Sequence, residues 1–257
     1  VLAFCEKRVA EEHREYGSLY VIAGEAGVGK SVVLSSIFNT IQARATDEST
    51  KQSTNLYDTE NYLVVNHEEM YKTYKGIAKQ VKHLKGKHFA KPTPLINQLQ
   101  KAEKRADIVF VDEAHLLLTK SDTYNNFHGQ NQLEELLKLA KVVVIIYDQN
   151  QVLKLKSLWG AATLTELEKK SAFTDRYELT NQFRMQANED VINWINHFKN
   201  KELKPLPKDE KYDFKVYETL EKMHSEIKSK NSEVGLSRVV STFDYLHKKD
   251  NQSYYIN

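Results

Sequence analysis

The stretch SLYVIAGEAGVGKS, residues 18–31, decides how the rest of the chain is read. Its opening SLYVIAG, 18–24, is an apolar run of the kind that forms a buried strand. Gly24, Gly27 and Gly29 then lead into Lys30 and Ser31, and VVLSSIFNTIQARA follows with Val33, Ile37 and Ile41 at helical spacing. Strand, glycine loop and helix in that order let successive backbone N–H groups turn inward around a phosphate, with the helix N-terminus adding its partial positive charge. Gly24, Gly29, Lys30 and Ser31 match G-x-x-x-x-G-K-[ST] without departure. Gly24, Glu25, Ala26, Gly27, Val28, Gly29, Lys30 and Ser31 are therefore expected to cradle the phosphates of ATP. Lys30 is expected to neutralise β- and γ-phosphate charge, and the Ser31 hydroxyl to complete a Mg²⁺ shell.

A cradle alone only binds. Hydrolysis needs an acid for the metal and a base for the attacking water, both expected at the C-terminal edge of a strand neighbouring the cradle strand. IVFVDEAH, 108–115, supplies four apolar residues, then Asp112 for the metal and Glu113 for the water. The alternative is that the two carboxylates cap the next helix. His115 is open between a structural role and one in coupling. TKSD, 119–122, resembles a guanine-reading motif but follows the acids too closely, so it is expected to be a loop.

Outside these motifs, strands are expected in YLVVN, 62–66, in DIVFVDEAHLLL up to its acids, in KVVVIIYDQNQ, 141–151, and in RYELTNQFR, 176–184. Helices are expected at 3–15, 68–84, 95–105, 132–140 and 187–199. Strands alternating with helices predict an α/β fold of the P-loop NTPase (RecA-like) kind, a parallel sheet with helices on both faces. LKPLPKDEK, 203–211, reads as a linker between a RecA-like domain at 1–202 and the beginning of a second, truncated α/β domain at 212–257. In that tail DFKVYETLEKMHSEIKSK predicts a strand and then a helix, and LSRVVSTFDYL another strand.

Composition narrows the classes. Over 257 residues, 40% hydrophobic and 28% charged content describes a chain able to bury a sizeable core. The net charge of +2 gives no global case for nucleic acid, so any basic surface has to be local. The single cysteine excludes a disulfide framework and fits a reducing, cytoplasmic setting. No apolar run reaches membrane-spanning length. The first residue, Val1, carries the expectation of a piece of a longer protein.

At the end of the fourth strand stands YDQNQ, 147–151, and after the fifth LTNQFRMQANEDVI, 179–192. With DEAH these resemble, in order and spacing, the motifs of superfamily 1 helicases, although Tyr147 stands where that motif has glycine. The resemblance implies that Gln151 senses the γ-phosphate and that Arg184 contacts it. LYVIAGEAGVGKSVVLSSIFNTIQ, DIVFVDEAHLL, DQNQVL, NQFRMQANEDVINWI and GLSRVVSTFDY together look like the Schlafen group 3-like DNA/RNA helicase domain family, over nearly the whole chain. Membership implies a helicase-like ATPase fold. Such helicases close two domains around ATP, so this chain is expected to bind nucleotide and turn it over weakly, and a longer parent to be the competent ATPase.

Between Glu68 and Lys91 lie seven lysines against two glutamates. Lys72, Lys75, Lys79 and Lys82 are candidates for contact with single-stranded DNA or RNA, with Tyr71, His83, His88 and Phe89 available to stack on bases. The same spacing also describes the solvated face of a surface helix. Two functions stay open: an ATP-driven translocase or helicase, and an ATP-gated switch or scaffold with slow hydrolysis.

Overall fold

The computed structural model describes residues 1–11, 15–25, 27–148, 161–180 and 188–240. Two compact units, Val1–Met185 and Gln186–Asn257, divide the chain. The first holds six strands, β1 Ser18–Gly24, β2 Asn61–Val65, β3 Phe89–Ala90, β4 Ala106–Asp112, β5 Ala140–Tyr147 and β6 Thr174–Leu179. Its helices are α1 Leu2–Val9, α2 Lys30–Thr46, α3 Glu68–Ala78, α4 Pro92–Ala102, α5 Gln132–Leu139 and α6 Ala161–Lys170.

The strands form one parallel sheet in the order β3-β2-β4-β5-β1-β6. Because each connection crosses over through a helical segment, both faces are covered and the central strands read as unbroken apolar runs. Alternate residues serve opposite layers. Leu19, Val21, Val109, Val111, Val143 and Ile145 pack with Leu95 and Leu99 of α4, Leu133 and Leu136 of α5, and Leu164 and Leu167 of α6. Tyr20, Ile22, Phe110, Val144 and Ile146 pack on the other face with Cys5 of α1, Leu34, Phe38 and Ile41 of α2, and Tyr74 of α3. Local signals set the helix ends. Asn131 caps α5 by accepting from Leu133 N at 2.9 Å and Glu134 N at 3.2 Å, and Pro92 opens α4 where a missing N–H does no harm.

The α/β class with a parallel sheet and helices on both faces is as expected, but the strand carrying the acids does not neighbour the cradle strand. β5 lies between them, aligning Ser18 of β1 with Val142 on one side and Ala106 of β4 with Ala140 on the other. Two further corrections concern the lysine segment. Helix α3 stops at Ala78, where Lys79 N–H bonds back to Gly76 O and Gln80 N–H to Ile77 O, so Lys82 lies beyond it. Phe89 pairs along β2 as the edge strand β3 and stacks on Tyr74. Phe89 and His88 are both buried, so neither is available to stack on a base.

His88 instead closes a buried polar cluster. Its Nδ1 accepts from Lys85 N at 3.1 Å, its Nε2 lies 3.5 Å from the Gln42 amide, and Asn61 donates to Gln42 Oε1 at 3.3 Å. Burial, helped by the charges of Lys87 and Lys85, pushes its pKa down to about 4. The unfolded chain takes up that proton near pH 6.5, so stability present above that pH is lost as pH falls toward 4. We expect His88→Asn, which still accepts from Lys85 N–H but cannot titrate, to flatten this acid loss by about 2 kcal/mol between pH 7 and 4.5. Urea unfolding of both proteins at the two pH values measures it, and equal losses would refute it.

The second unit contributes α7 Glu189–Lys199 and α8 Leu220–Val234, and no strand among its described residues. The strand expected just after residue 212 is therefore absent. Trp194 of α7 stacks on Phe198, meets Phe214 edge-on and donates to Lys204 O at 2.7 Å. Those contacts hold the proline-containing stretch against α7. The second expected strand falls largely outside the described residues, and its described part, 236–240, has no strand.

Candidate nucleotide-binding site

All six strands end at the same edge of the sheet, and the expected site gathers there. β1 runs straight into the glycine loop, and α2 begins at Lys30 behind Gly29, whose φ of 81° is left-handed. Gly27, at φ 91°, is in the same region. At Gly24 close approach matters more: a Cβ there would lie 2.8 Å from both Leu179 O and Val28 Cγ2. Among the described residues no side chain caps the start of α2, and its first turn holds no acid. Its leading N–H groups and positive dipole end are thus left for an anion, and the loop fits the phosphates of a nucleotide. Ala26 lies outside the described residues.

Lys30 and Ser31 open that helix and face the other strand ends. Ser31 Oγ donates to Asp112 Oδ1 at 3.1 Å, joining cradle and acid strand across the intervening β5. Lys30 Nζ donates to Gly24 O at 2.7 Å, Glu25 O at 2.6 Å and Asp148 Oδ2 at 3.0 Å. Asp148 follows β5 directly and is 1% exposed. Asp148, the first residue of the DQNQ motif whose Gln151 the helicase resemblance singles out, is the one paired with the cradle lysine. Its sequence signal is that motif and its place after an apolar strand.

Burial pushes the Asp112 carboxyl up to about 6 against the pull of the Ser31 hydroxyl, with the Glu113 charge adding to the rise. A carboxylate held this reluctantly in its charged form gains from a cation beside it. Ser31 and Asp112 are the residues that could hold a divalent cation at this edge. Among the described residues no three His, Cys, Asp or Glu side chains converge into a metal cage.

Glu113 sits at φ 52°, ψ 55°, left-handed backbone that a non-glycine residue adopts at a cost of about 1 kcal/mol. It precedes a short 3₁₀ turn, Ala114–Leu116, without capping it by its side chain, so the capping alternative does not describe this residue. His115 is buried, its Nδ1 finds no hydrogen-bond partner among the described residues, and burial lowers its pKa against the charges of Glu113 and Asp148. The TKSD segment is a loop, with Asp122 and Phe127 exchanging backbone hydrogen bonds. Gln151 and Arg184 lie outside the described residues.

The lysine segment is only partly bound up in ion pairs. Lys72 pairs with Glu69 at 3.0 Å and Lys91 with Glu68, while the Lys75 ammonium lies 4.5 Å from the Tyr71 ring centroid. Lys75, Lys79, Lys82, Lys85 and Lys87 are exposed. His83 Nε2 lies 2.7 Å from Asn39 Oδ1 on α2. Among the described residues no helix is long and apolar enough to cross a membrane.

The chain is similar to the uncharacterized protein YPL245W of Saccharomyces cerevisiae, with 37% identity over 281 aligned positions; all of this chain and 61% of the yeast protein are covered. Among solved structures it is similar to the flagellar accessory protein FlaH from Methanocaldococcus jannaschii, with a TM-score of 0.33 and 17% identity over 66% of this chain and 75% of that one. The family described as Schlafen group 3, DNA/RNA helicase domain, matches residues 17–256, which takes in the cradle, Asp112, Glu113 and the lysine segment. With its parallel sheet and glycine loop, the chain is a helicase-like P-loop NTPase domain and belongs to the Schlafen group 3 DNA/RNA helicase domain family.

Proposed function

We propose that this chain binds and hydrolyses ATP and serves a translocase or helicase acting on single-stranded DNA or RNA. The observation that carries the reading is the meeting of Ser31 and Asp112 at 3.1 Å beside Lys30, far apart in sequence and each of the residue type that phosphate chemistry needs. The Lys30 ammonium draws the β- and γ-phosphates into the loop, whose N–H groups hold them. Glu113, beside Asp112 at the open strand edge, orients the attacking water. Mg²⁺, held by Ser31 and Asp112, supplies charge neutralisation to the phosphate oxygens when bound. Gln151 as γ-phosphate sensor and Arg184 as cationic contact complete the set, both assigned from the family resemblance.

For nucleic acid the support is the exposed run Lys75, Lys79, Lys82, Lys85 and Lys87, which follows the second strand of the sheet. Lys72 belongs to the same surface but is already paired with Glu69. The region beyond residue 211 is read as the start of a second RecA-like domain, with residues 1–202 as the first and 203–211 joining them.

The test is the ATP hydrolysis rate of the protein with and without single-stranded DNA and RNA. We expect stimulation of tenfold or more, falling steeply as salt rises because phosphate contacts release counterions. A slow rate indifferent to both polymers would sink the motor and leave an ATP-gated switch.

A further inference from the structure

Lys30 has three N–H donors and uses all of them. Two go to carbonyls of its own loop, Gly24 O and Glu25 O, and the third goes to Asp148. The pair is well buried, with side-chain exposures of 10% for Lys30 and 1% for Asp148. Asp148 directly follows β5, the strand interposed between the cradle strand and the acid strand, so its carboxylate stands beside the place where the phosphates enter. Asp112 and Glu113 lie at the neighbouring strand end, and His115 feels the charges of Glu113, Asp148 and Lys30 together. Among the described residues the Lys30 ammonium thus shares this strand edge with the carboxylates of Asp148, Asp112 and Glu113.

The geometry points to Asp148 as a positioning residue that holds Lys30 in reserve, its carboxylate occupying the acceptor station on the ammonium that a phosphate oxygen takes over when nucleotide binds. This rests on the nucleotide reading above and adds to it a built-in opponent of binding. Phosphate has to displace a buried carboxylate and then sit near it, so affinity is set below what the cradle alone would give. In exchange, Lys30 is never left as a buried charge without a counter-charge, a state that is strongly destabilising.

The test titrates ADP without divalent cations into wild type, Asp148→Asn, Lys30→Ala and the double variant by calorimetry. Asp148→Asn keeps the size of the side chain and removes its charge. We expect it to bind ADP about tenfold more tightly than wild type, as an ammonium stripped of its counter-charge gains more from phosphate. Lys30→Ala is expected to abolish the gain, leaving the double variant equal to Lys30→Ala. The acetylation rate of Lys30 by acetic anhydride in the nucleotide-free protein is a second readout, and a purely structural role for Asp148 would not move it selectively. It is expected to rise severalfold in Asp148→Asn.

If Asp148→Asn fails to fold alone, refolding in millimolar ADP decides. Recovery supports the exchange of carboxylate for phosphate, and failure overturns it. A wild type that binds ADP while Asp148→Asn binds equally or more weakly overturns the Asp148 assignment alone. No binding by either protein would remove the nucleotide reading itself, and this inference with it.

Discussion

Replacing Lys30 with alanine is expected to lower the ATP hydrolysis rate by a factor of about 10²–10³, the usual cost of losing a preorganised charge aimed at a transition state. Nucleotide binding weakens as well, because the ammonium lies directly against the loop, bonded to Gly24 O and Glu25 O. The substitution has a side effect that the structure makes explicit: Asp148 loses the ammonium 3.0 Å from its carboxylate, and a buried pair with one partner removed destabilises the fold. Lost turnover in Lys30→Ala alone could therefore be lost folding. Glu113→Gln separates the two. Glu113 is half-buried and outside that pair, so its substitution should spare melting temperature and ADP binding while turnover falls by about 10²-fold through loss of the group that orients water. Steady-state rates, calorimetric binding and thermal melts of the three proteins are the measurement. Wild-type turnover in either variant would remove that residue from the chemistry.

The largest effect on stability is expected far from this chemistry, at Gly17. Its N–H donates to Leu137 O at 2.7 Å and its carbonyl accepts from Ala172 N at 3.0 Å, which fixes the backbone just ahead of β1. A Cβ at this position would lie 2.1 Å from Ala140 O and 2.7 Å from Lys141 O. Backbone cannot swing aside as a flexible side chain can, so β1 and β5 would have to part at their first paired residues. Gly17→Ala is expected to cost about 3 kcal/mol, at the upper end of overpacking penalties, or roughly 10 °C in melting temperature. Gly76→Ala is the control. It sits in α3 with open space around the added methyl, and should gain about 0.5–1 kcal/mol from helix propensity. Equal melting temperatures for the two variants would contradict this account of Gly17.

Much of this architecture was legible in the chain. The apolar runs SLYVIAG, YLVV, IVFV and KVVVII announced the central strands because each is buried on two faces, and the glycine loop and acid pair stand at strand ends as expected. Strand order was not legible, since nothing in KVVVII says that β5 enters between β4 and β1. Phe89–Ala90 is too short to carry a period, and Ala161–Lys170 has only Leu164 and Leu167 to mark a buried side. The lysine stripe misled by continuing a helical spacing past Ala78, where Val81 and Leu84 reach the core through a turn instead. Within the site, Lys30, Ser31, Asp112 and Glu113 announced themselves by motif. The Lys30–Asp148 pair did not, because it depends on which strand tips lie side by side.

The placing of β1 between β5 and β6 has a consequence for how the protein is made. Ser18 waits for Val142, and Leu19 for Thr174. A chain emerging from the ribosome therefore exposes its first strand and glycine loop long before either pairing partner has been synthesised, while β2, β3 and β4 can already associate. β1 is thus a late insertion into a half-built sheet, a non-local closure of the slow kind. The phosphate cradle hangs from it and comes into being only with that closure.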